Sequence, residues 1–374
     1  MSTKVVAILA VVLVAVAGAG AAVVLLGNSN DGDKLVDASG TEVVAYADAT
    51  SITAASPSLV DLVCYMESPT LLKCVAKSSS NPAMPTGLPQ CGKYSDPDTD
   101  AISNANSDIT LLDASGSKAA AACKTLRDAG MKNVYLFYGS DDGVDGVYKN
   151  VEMIGKILGK DTLASEIITK MKDEIANLNS KTANATTRNV IVTTGWGSLA
   201  ADSSGAFTNL DSVDLKSGVY AAGKDSTLMG LMKSACKVDT VPAGSSWAAL
   251  DSDMISTQTG SVDAIIILWY TTAPTATECA KFVTKLQNDV AWQNCKAVQD
   301  GNVFFFTGSL NSNLSRTTPY TIEDLAICSL FVNPECFSAT SGGAALSLSD
   351  LPKTVYDSQK EGLTGYTNNS PASA

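Results

Sequence analysis

Residues 148–179 read YKNVEMIGKILGKDTLASEIITKMKDEIANLN. Leu163, Ile167, Met171, Ile175 and Leu178 recur at spacings of three and four with charged residues between them, one apolar stripe along a long helix. Gly155 and Gly159 weaken its first half, so a kink or break is expected near Lys160-Asp161. On both sides of this stretch, apolar runs of strand type alternate with helical patterns. Upstream, Val43-Val44-Ala45-Tyr46-Ala47, Leu71-Leu72-Lys73-Cys74-Val75, Ile109-Thr110-Leu111-Leu112 and Val134-Tyr135-Leu136-Phe137-Tyr138 read as strands. Residues 58–66, after Ser56-Pro57, and 118–129, before Gly130, read as helices. Downstream, residues 189–193, 262–269 and 302–307 read as strands, and 226–235, 277–288 and 321–331 as helices. This alternation predicts βα units on mostly parallel sheets.

The expected fold class is therefore α/β: two βα lobes with mostly parallel sheets joined by one long α-helix, plus an N-terminal transmembrane helix. The boundaries follow from the pattern: 1–27 anchor or signal, 28–40 linker, 41–147 first lobe, 148–181 linking helix, 182–338 second lobe, 339–374 tail.

The 374 residues exceed one ordinary domain, in keeping with two lobes. With 45% hydrophobic and 17% charged residues, and mean hydropathy +0.12, the chain is neither disordered nor a coiled coil. Lys and Arg number 26 against 38 Asp and Glu, a net charge of −12 that disfavours nucleic acid as a partner. Histidine is absent, which removes the Ser-His-Asp triad and His-ligated zinc, copper and haem. No nucleophile elbow or phosphate loop is present either, so an enzyme is not expected, and no cofactor.

Residues 5–26 are apolar and small without a charge, about the 20 residues a helix needs to cross a bilayer. An anchor and a cleaved signal are both open readings: Ala17-Gly18-Ala19 and Ala19-Gly20-Ala21 offer cleavage sites, but Val23-Val24-Leu25-Leu26 carries the run past them. Either way the rest of the chain is exported, and the anchor reading puts it at the cell membrane with the main domain extracytoplasmic. Outside the cytosol the nine cysteines can form disulfides; Cys328–Cys336 and Cys279–Cys295 flank helix ends and are the expected pairs. Sequons stand at Asn184, Asn313 and Asn368. The acidic runs at 96–100 and 141–145 match no EF-hand loop and read as solvated turns.

Four motifs, in order, carry a resemblance. Ser56-Pro57-Ser58-Leu59-Val60-Asp61 follows the first strand, and Tyr148-Lys149-Asn150-Val151 through Leu158-Gly159-Lys160 opens the linking helix. Ala291-Trp292-Gln293-Asn294-Cys295-Lys296-Ala297-Val298-Gln299-Asp300-Gly301-Asn302-Val303 is similar to a Trp-x-x-x-x-Ala-Val-x-x-Gly-x-Val signature before a late strand. Asn333-Pro334-Glu335-Cys336-Phe337 resembles a His-Pro-Glu-x-Phe ending, with Asn for His. Over residues 41–337 the chain thus resembles the class III substrate-binding proteins of ABC importers for iron-siderophore complexes, haem and cobalamin. The resemblance implies a ligand held between two lobes, a stiff single-helix hinge with small closure, and docking on an ABC permease coupled to its ATPase. It implies delivery of an iron complex or a corrinoid; a surface structural or adhesive protein on the same fold is the alternative.

A cleft at the carboxyl ends of the strands is where open α/β sheets bind ligands. Trp196, in Thr194-Gly195-Trp196-Gly197, reads as a stacking wall or as lobe-edge packing. Trp269 and Tyr270 end a strand and face the same expected cleft, Trp247 resembles a ligand-contacting position of the family, and Trp292 reads as core. Tyr46, Tyr94 and Tyr138 occupy first-lobe loops at the cleft, as metal-ligating phenolates or as a hydrogen-bonded aromatic wall. Arg316, one of three arginines, suits either a clamp on a ligand carboxylate or phosphate or an ion pair with Glu323 or Asp324. Scarce positive charge points to a neutral or mildly anionic macrocycle or a compact iron chelate.

Overall fold

A short strand, Ile52–Ala54 (β1), starts the first sheet in place of residues 43–47. All three of its residues are buried with a parallel neighbour on each side, whereas Val44 and Tyr46 are 46% and 39% exposed. In the computed structural model, which describes residues 34–139, 142–244, 246–316, 318–337, 345–351 and 353–355, Pro57–Tyr65 (α1) follows β1. The Ser56 side chain caps α1 by accepting from the Ser58 N–H, and Pro57 occupies the first turn, where its missing N–H costs nothing. Leu72–Val75 (β2), a ribbon of Gly92–Lys93 (β3) and Asp96–Pro97 (β4), Thr99–Ala105 (α2), Ile109–Asp113 (β5), Ala119–Asp128 (α3) and Val134–Phe137 (β6) complete this half. The sheet order is β2-β1-β5-β6, parallel throughout.

The expected linking helix is two helices, Gly143–Ile157 (α4) and Asp161–Thr182 (α5). Gly159 sits at φ +64°, its N–H bonds Lys156 O, and the Lys160 N–H bonds Gly155 O at 2.7 Å. This left-handed glycine cap closes α4 and puts the break expected near Lys160-Asp161 at the glycine, so the single long helix over 148–181 is two helices. α5 then packs against α4, with Gly155 against Ala164.

The second sheet comes from Arg188–Thr194 (β7), Tyr220–Ala222 (β8), Val238–Asp239 (β9), Trp247–Ala249 (β10), Ala264–Leu268 (β11), Val303–Phe306 (β12) and Thr354–Val355 (β13). Its order is β10-β8-β7-β11-β12-β13 with β9 beside β7; β8 is antiparallel to both β10 and β7, and the other pairs are parallel. Its helices are Thr227–Ala235 (α6), Ser252–Gln258 (α7), Ala276–Gln287 (α8), Lys296–Gln299 (α9), Ser309–Arg316 (α10) and Pro319–Val332 (α11). β13 draws residues 354–355 of the expected tail into the sheet. Asn333 does a structural job: its side chain donates to Thr186 O and Lys237 O and accepts from the Lys237 N–H, tying the end of α11 to the start of β7.

One apolar cluster runs from Ile52 and Leu59 through Val151, Ile154, Ile167, Met171 and Ile175 to Val192, Ile266 and Phe306. Each sheet's other face has its own cluster, around Trp196, Phe282 and Trp292 in the second and around Cys74, Cys91 and Leu112 in the first. The end of the expected linker is built in as well. Asp37 accepts from the N–H groups of Ser39, Thr41 and Leu136 and from Arg127.

Neither expected disulfide is present in this structure, in which Cys279 contacts Thr354 and all nine cysteines are buried free thiols. Asn313 is also buried, its side chain donating to Asp324, so that sequon is closed to a glycan while Asn184 is exposed. The anchor at 1–27 and the sequon at Asn368 lie outside the described residues, among which no helix is long and apolar enough to cross a membrane.

A Cβ at Gly155 would collide with the Ala164 Cβ. Gly155→Val is expected to lower stability by about 1–3 kcal/mol, read as a lower urea midpoint at unchanged m-value. Burial pushes the Asp37 carboxyl up, but the Leu136 N–H, Ser39, the Thr41 N–H and Arg127 outweigh it and hold the group below 3.8. Its contribution is thus present at neutral pH and lost as pH falls through that lowered value. Asp37→Asn is expected to lower Tm more at pH 7 than at pH 3.

Candidate functional site

At the carboxyl ends of the strands, elements of the two sheets enclose a cavity of about 580 Å³. The first half contributes Pro57 at the start of α1, the turn after β2 with Lys77, Ser78 and Ser80, and the β3–β4 tip with Lys93, Tyr94 and Ser95. Gly92 makes that ribbon possible. It sits at φ +85° against Asp96 O and the Asp98 N–H, leaving no room for a side chain. From the second half come Trp269, Tyr270 and Thr271 after β11, Gly308 after β12, and Asn311, Ser312, Ser315 and Arg316 of α10.

The lining has a definite chemistry. Tyr94 and Tyr270 stand out at 47% and 57% exposure, one from each half. Six aliphatic hydroxyls accompany them: Ser78, Ser80, Ser95, Thr271, Ser312 and Ser315. Asn311 donates to Trp269 O at 2.8 Å, while its buried Oδ1 has no partner among the described residues. Three cations line the space, Lys77, Lys93 and Arg316, and no described carboxylate does. Lys77 and Lys93 have no ion-pair partner among the described residues.

Arg316 is committed elsewhere. Its Nη1 pairs with Asp61 Oδ2 of α1 at 2.8 Å, both groups largely buried, and Asp61 also accepts from Asn81 at 2.8 Å. The expected partners are otherwise engaged: Glu323 accepts from the Tyr65 hydroxyl at 2.7 Å, and Asp324 is buried beside Asn313. Behind Arg316 lies a chamber of about 30 Å³ lined by Ser58, Asp113, Tyr138 and Asn150, room for a water or two. Burial pushes the Asp113 carboxyl up, against the Ser56 hydroxyl at 2.7 Å and the Ser115 N–H at 2.9 Å.

Of the eight residues expected at a cleft, Tyr94, Trp269, Tyr270 and Arg316 come together on the large cavity, and Tyr138 meets Arg316 at the chamber. Trp269 is mostly a core side chain, edge-on to Phe305 and Phe207 with its indole N–H on Thr272 O. Trp196 lies apart, 0% exposed, stacked on Trp292 at 5.2 Å and donating to Thr193 Oγ1. Its flanking glycines serve tight backbone contacts with Gly218 and Asp214 rather than an open ring. Trp247 is on the sheet-edge strand β10, and the Tyr46 N–H bonds Ile157 O beside the α4 terminus. The sequence reading missed Lys77 and Lys93; the available signal was a lysine in the Ser-rich turn directly after a strand.

The profile of the family described as periplasmic binding protein matches residues 68–310. No curated protein matches its sequence. Among solved structures, the periplasmic haem-binding protein RhuT from Roseiflexus sp. RS-1, in apo form, is 13% identical with a TM-score of 0.58, over 75% of this chain and 97% of that one. The periplasmic vitamin B12 binding protein BtuF of Vibrio cholerae is 13% identical with a TM-score of 0.56, over 76% and 96%. A periplasmic haem-binding protein from Pseudomonas aeruginosa is 15% identical with a TM-score of 0.54, over 80% and 95%.

Breaking a buried pair strands the surviving charge, so Asp61→Ala is expected to cost about 3–5 kcal/mol. The double variant Asp61→Ala with Arg316→Ala should recover part of that loss in a urea-denaturation cycle. Strict additivity would mean the pair carries no coupling.

Proposed function

The chain belongs to the periplasmic binding protein family, and we propose that it is the extracytoplasmic substrate-binding protein of an ABC importer, carrying an iron complex with negatively charged groups. It binds and hands over its cargo without turnover, and its partners are a membrane permease and the ATPase coupled to it. The observation that carries the ligand class is the cavity lining, with Lys77, Lys93 and Arg316 and no described carboxylate in a chain of net charge −12. Composition alone favoured a neutral or mildly anionic macrocycle or a compact iron chelate; the local charge favours an anion. Asp61 offsets Arg316, which leaves the two lysines as the net positive charge.

In this reading Tyr94 and Tyr270 lie against the flat or apolar part of the ligand, with aromatic faces of low entropic cost. Lys77, Lys93 and the hydroxyls of Ser78, Ser80 and Ser312 take its anionic rim. Asn311 Oδ1 accepts from a ligand donor. Haem, through its carboxylates, and ferric chelates with catecholate or carboxylate arms both satisfy that lining. The haem-binding and vitamin B12-binding proteins of similar fold support a macrocycle-sized cargo. A cavity open to such a cargo speaks against a surface adhesin that has lost its ligand.

Thermal unfolding of the full chain with haem, a ferric tris-catecholate, ferric citrate and cyanocobalamin tests this. A ligand at 100 times its Kd adds about 2.7 kcal/mol. At least one anionic iron complex is expected to raise Tm, less so at higher salt. Lys77→Gln with Lys93→Gln should weaken its binding by about tenfold or more while leaving the unliganded Tm within about 1 °C, both lysines being exposed. Stabilisation by cyanocobalamin alone, insensitive to salt, would replace the iron reading with the corrinoid one; no response to any of the four would end both.

A further inference from the structure

We propose that Cys74 and Cys91 are joined by a disulfide in the exported protein, and that this cross-link fixes the root of the two segments carrying Lys77 and Lys93. Cys74 lies in β2 and Cys91 immediately precedes β3. The Val75 N–H bonds Pro89 O at 3.0 Å, the Cys91 N–H bonds Val75 O at 2.9 Å, and Val75 bridges Gln90 in parallel. The chain at 89–91 therefore runs beside β2 as an added strand. Cys74 and Cys91 flank that bridge, one before Val75 and the other after Gln90, so strand alternation turns both to the face opposite Val75 and Gln90. There they share one apolar cluster with Ile102, Leu112 and Ala119, close enough that each thiol influences the other's protonation. Two of the other thiols bond elsewhere: Cys236 Sγ to Met232 O at 2.9 Å and Cys279 Sγ to Thr354 Oγ1 at 3.4 Å.

Closing the bond breaks two S–H bonds and forms one S–S bond, releasing two protons and two electrons. A disulfide-bearing oxidant outside the cytosol takes them and is reduced to two thiols. The step belongs to folding after export, before the cluster closes. In the folded chain both residues are 1% exposed, and burial pushes both thiols up, so neither offers a thiolate for later exchange. The same burial then shields the finished bond from reductants.

The consequence for the cavity follows from spacing. Lys77 is three residues beyond Cys74, Lys93 two beyond Cys91, and the Lys77 N–H bonds Gly92 O at 2.7 Å. A covalent tie behind these strand ends holds the two cations at a fixed separation, which reduces the ordering left for the ligand to impose. This effect rests on the proposed ligand reading; the cross-link itself does not.

Full chain recovered from extracytoplasmic expression is unfolded in guanidinium with iodoacetamide and no reductant, then digested. The expected result is a peptide pair linked through Cys74 and Cys91, with neither residue alkylated until a reductant is added. Alkylation of both without reductant overturns the proposal, as does a linkage of either to another cysteine. Reductant present through unfolding and refolding should lower Tm by about 5 °C, and Cys74→Ala with Cys91→Ala should abolish that dependence. For the bound iron complex, Kd in the double variant, folded by circular dichroism, should rise severalfold; an unchanged Kd overturns the role at the cationic wall. If no anionic complex binds wild type, the ligand reading fails while the linked peptide still decides the cross-link.

Discussion

A single apolar core passes from the first sheet through α4 and α5 into the second, and the other features of the protein are arranged around it. Val151 and Ile154 on α4 and Ile167, Met171 and Ile175 on α5 share one cluster with side chains of both sheets. Separating the halves would expose this surface at about 25 cal/mol per Å². Large hinge opening is therefore costly. The β3–β4 tip and the turn after β2, which carry the cavity's lysines, stand at the edge of this core.

Polar contacts across the mouth complement that core. Asp61–Arg316 and Tyr65–Glu323 both join α1 to helices of the second half, and the Ser58 hydroxyl donates to Arg316 O. They pin α10 against α1 at the edge of the cavity. Arg316 is consequently a structural cation first and a ligand contact second, whereas Lys77 and Lys93 are exposed and unencumbered. Net charge describes the field far from the molecule, and at physiological salt that field is screened within about 8 Å. Inside the cavity the nearby charges decide, and these are positive although the chain as a whole is acidic.

Periodic patterns were legible in the sequence. The stripe from Leu163 to Leu178, the break near Gly159, the buried strand at β11 and the core place of Trp292 each rest on a repeat or a glycine that has one reading. The failures share a cause as well. β1 is three residues long and owes its existence to neighbours on both sides, which no local pattern records. α10 has a polar sequence, SLNSNLSR, held by its setting on α11 and β11 rather than by propensity. Trp196 shows the limit for the site: flanking glycines announce a backbone in close approach, but not which side of the sheet the indole will face.

The break between α4 and α5 sets how the two halves are joined. A helix over residues 148–181 at about 1.5 Å per residue would reach some 50 Å, longer than either sheet half requires. The left-handed cap at Gly159 ends α4, and the small pair Gly155 and Ala164 lets α5 lie close against it. Lys160 secures the corner by donating its Nζ to Met66 O at the end of α1. The two halves are thus joined by packed helices whose buried faces are already part of the core, rather than by a free-standing rod. Stiffness then comes from side-chain packing rather than from helix length, which makes the corner at residues 158–160, and not the middle of α5, the place where a small substitution would loosen the joint between the halves.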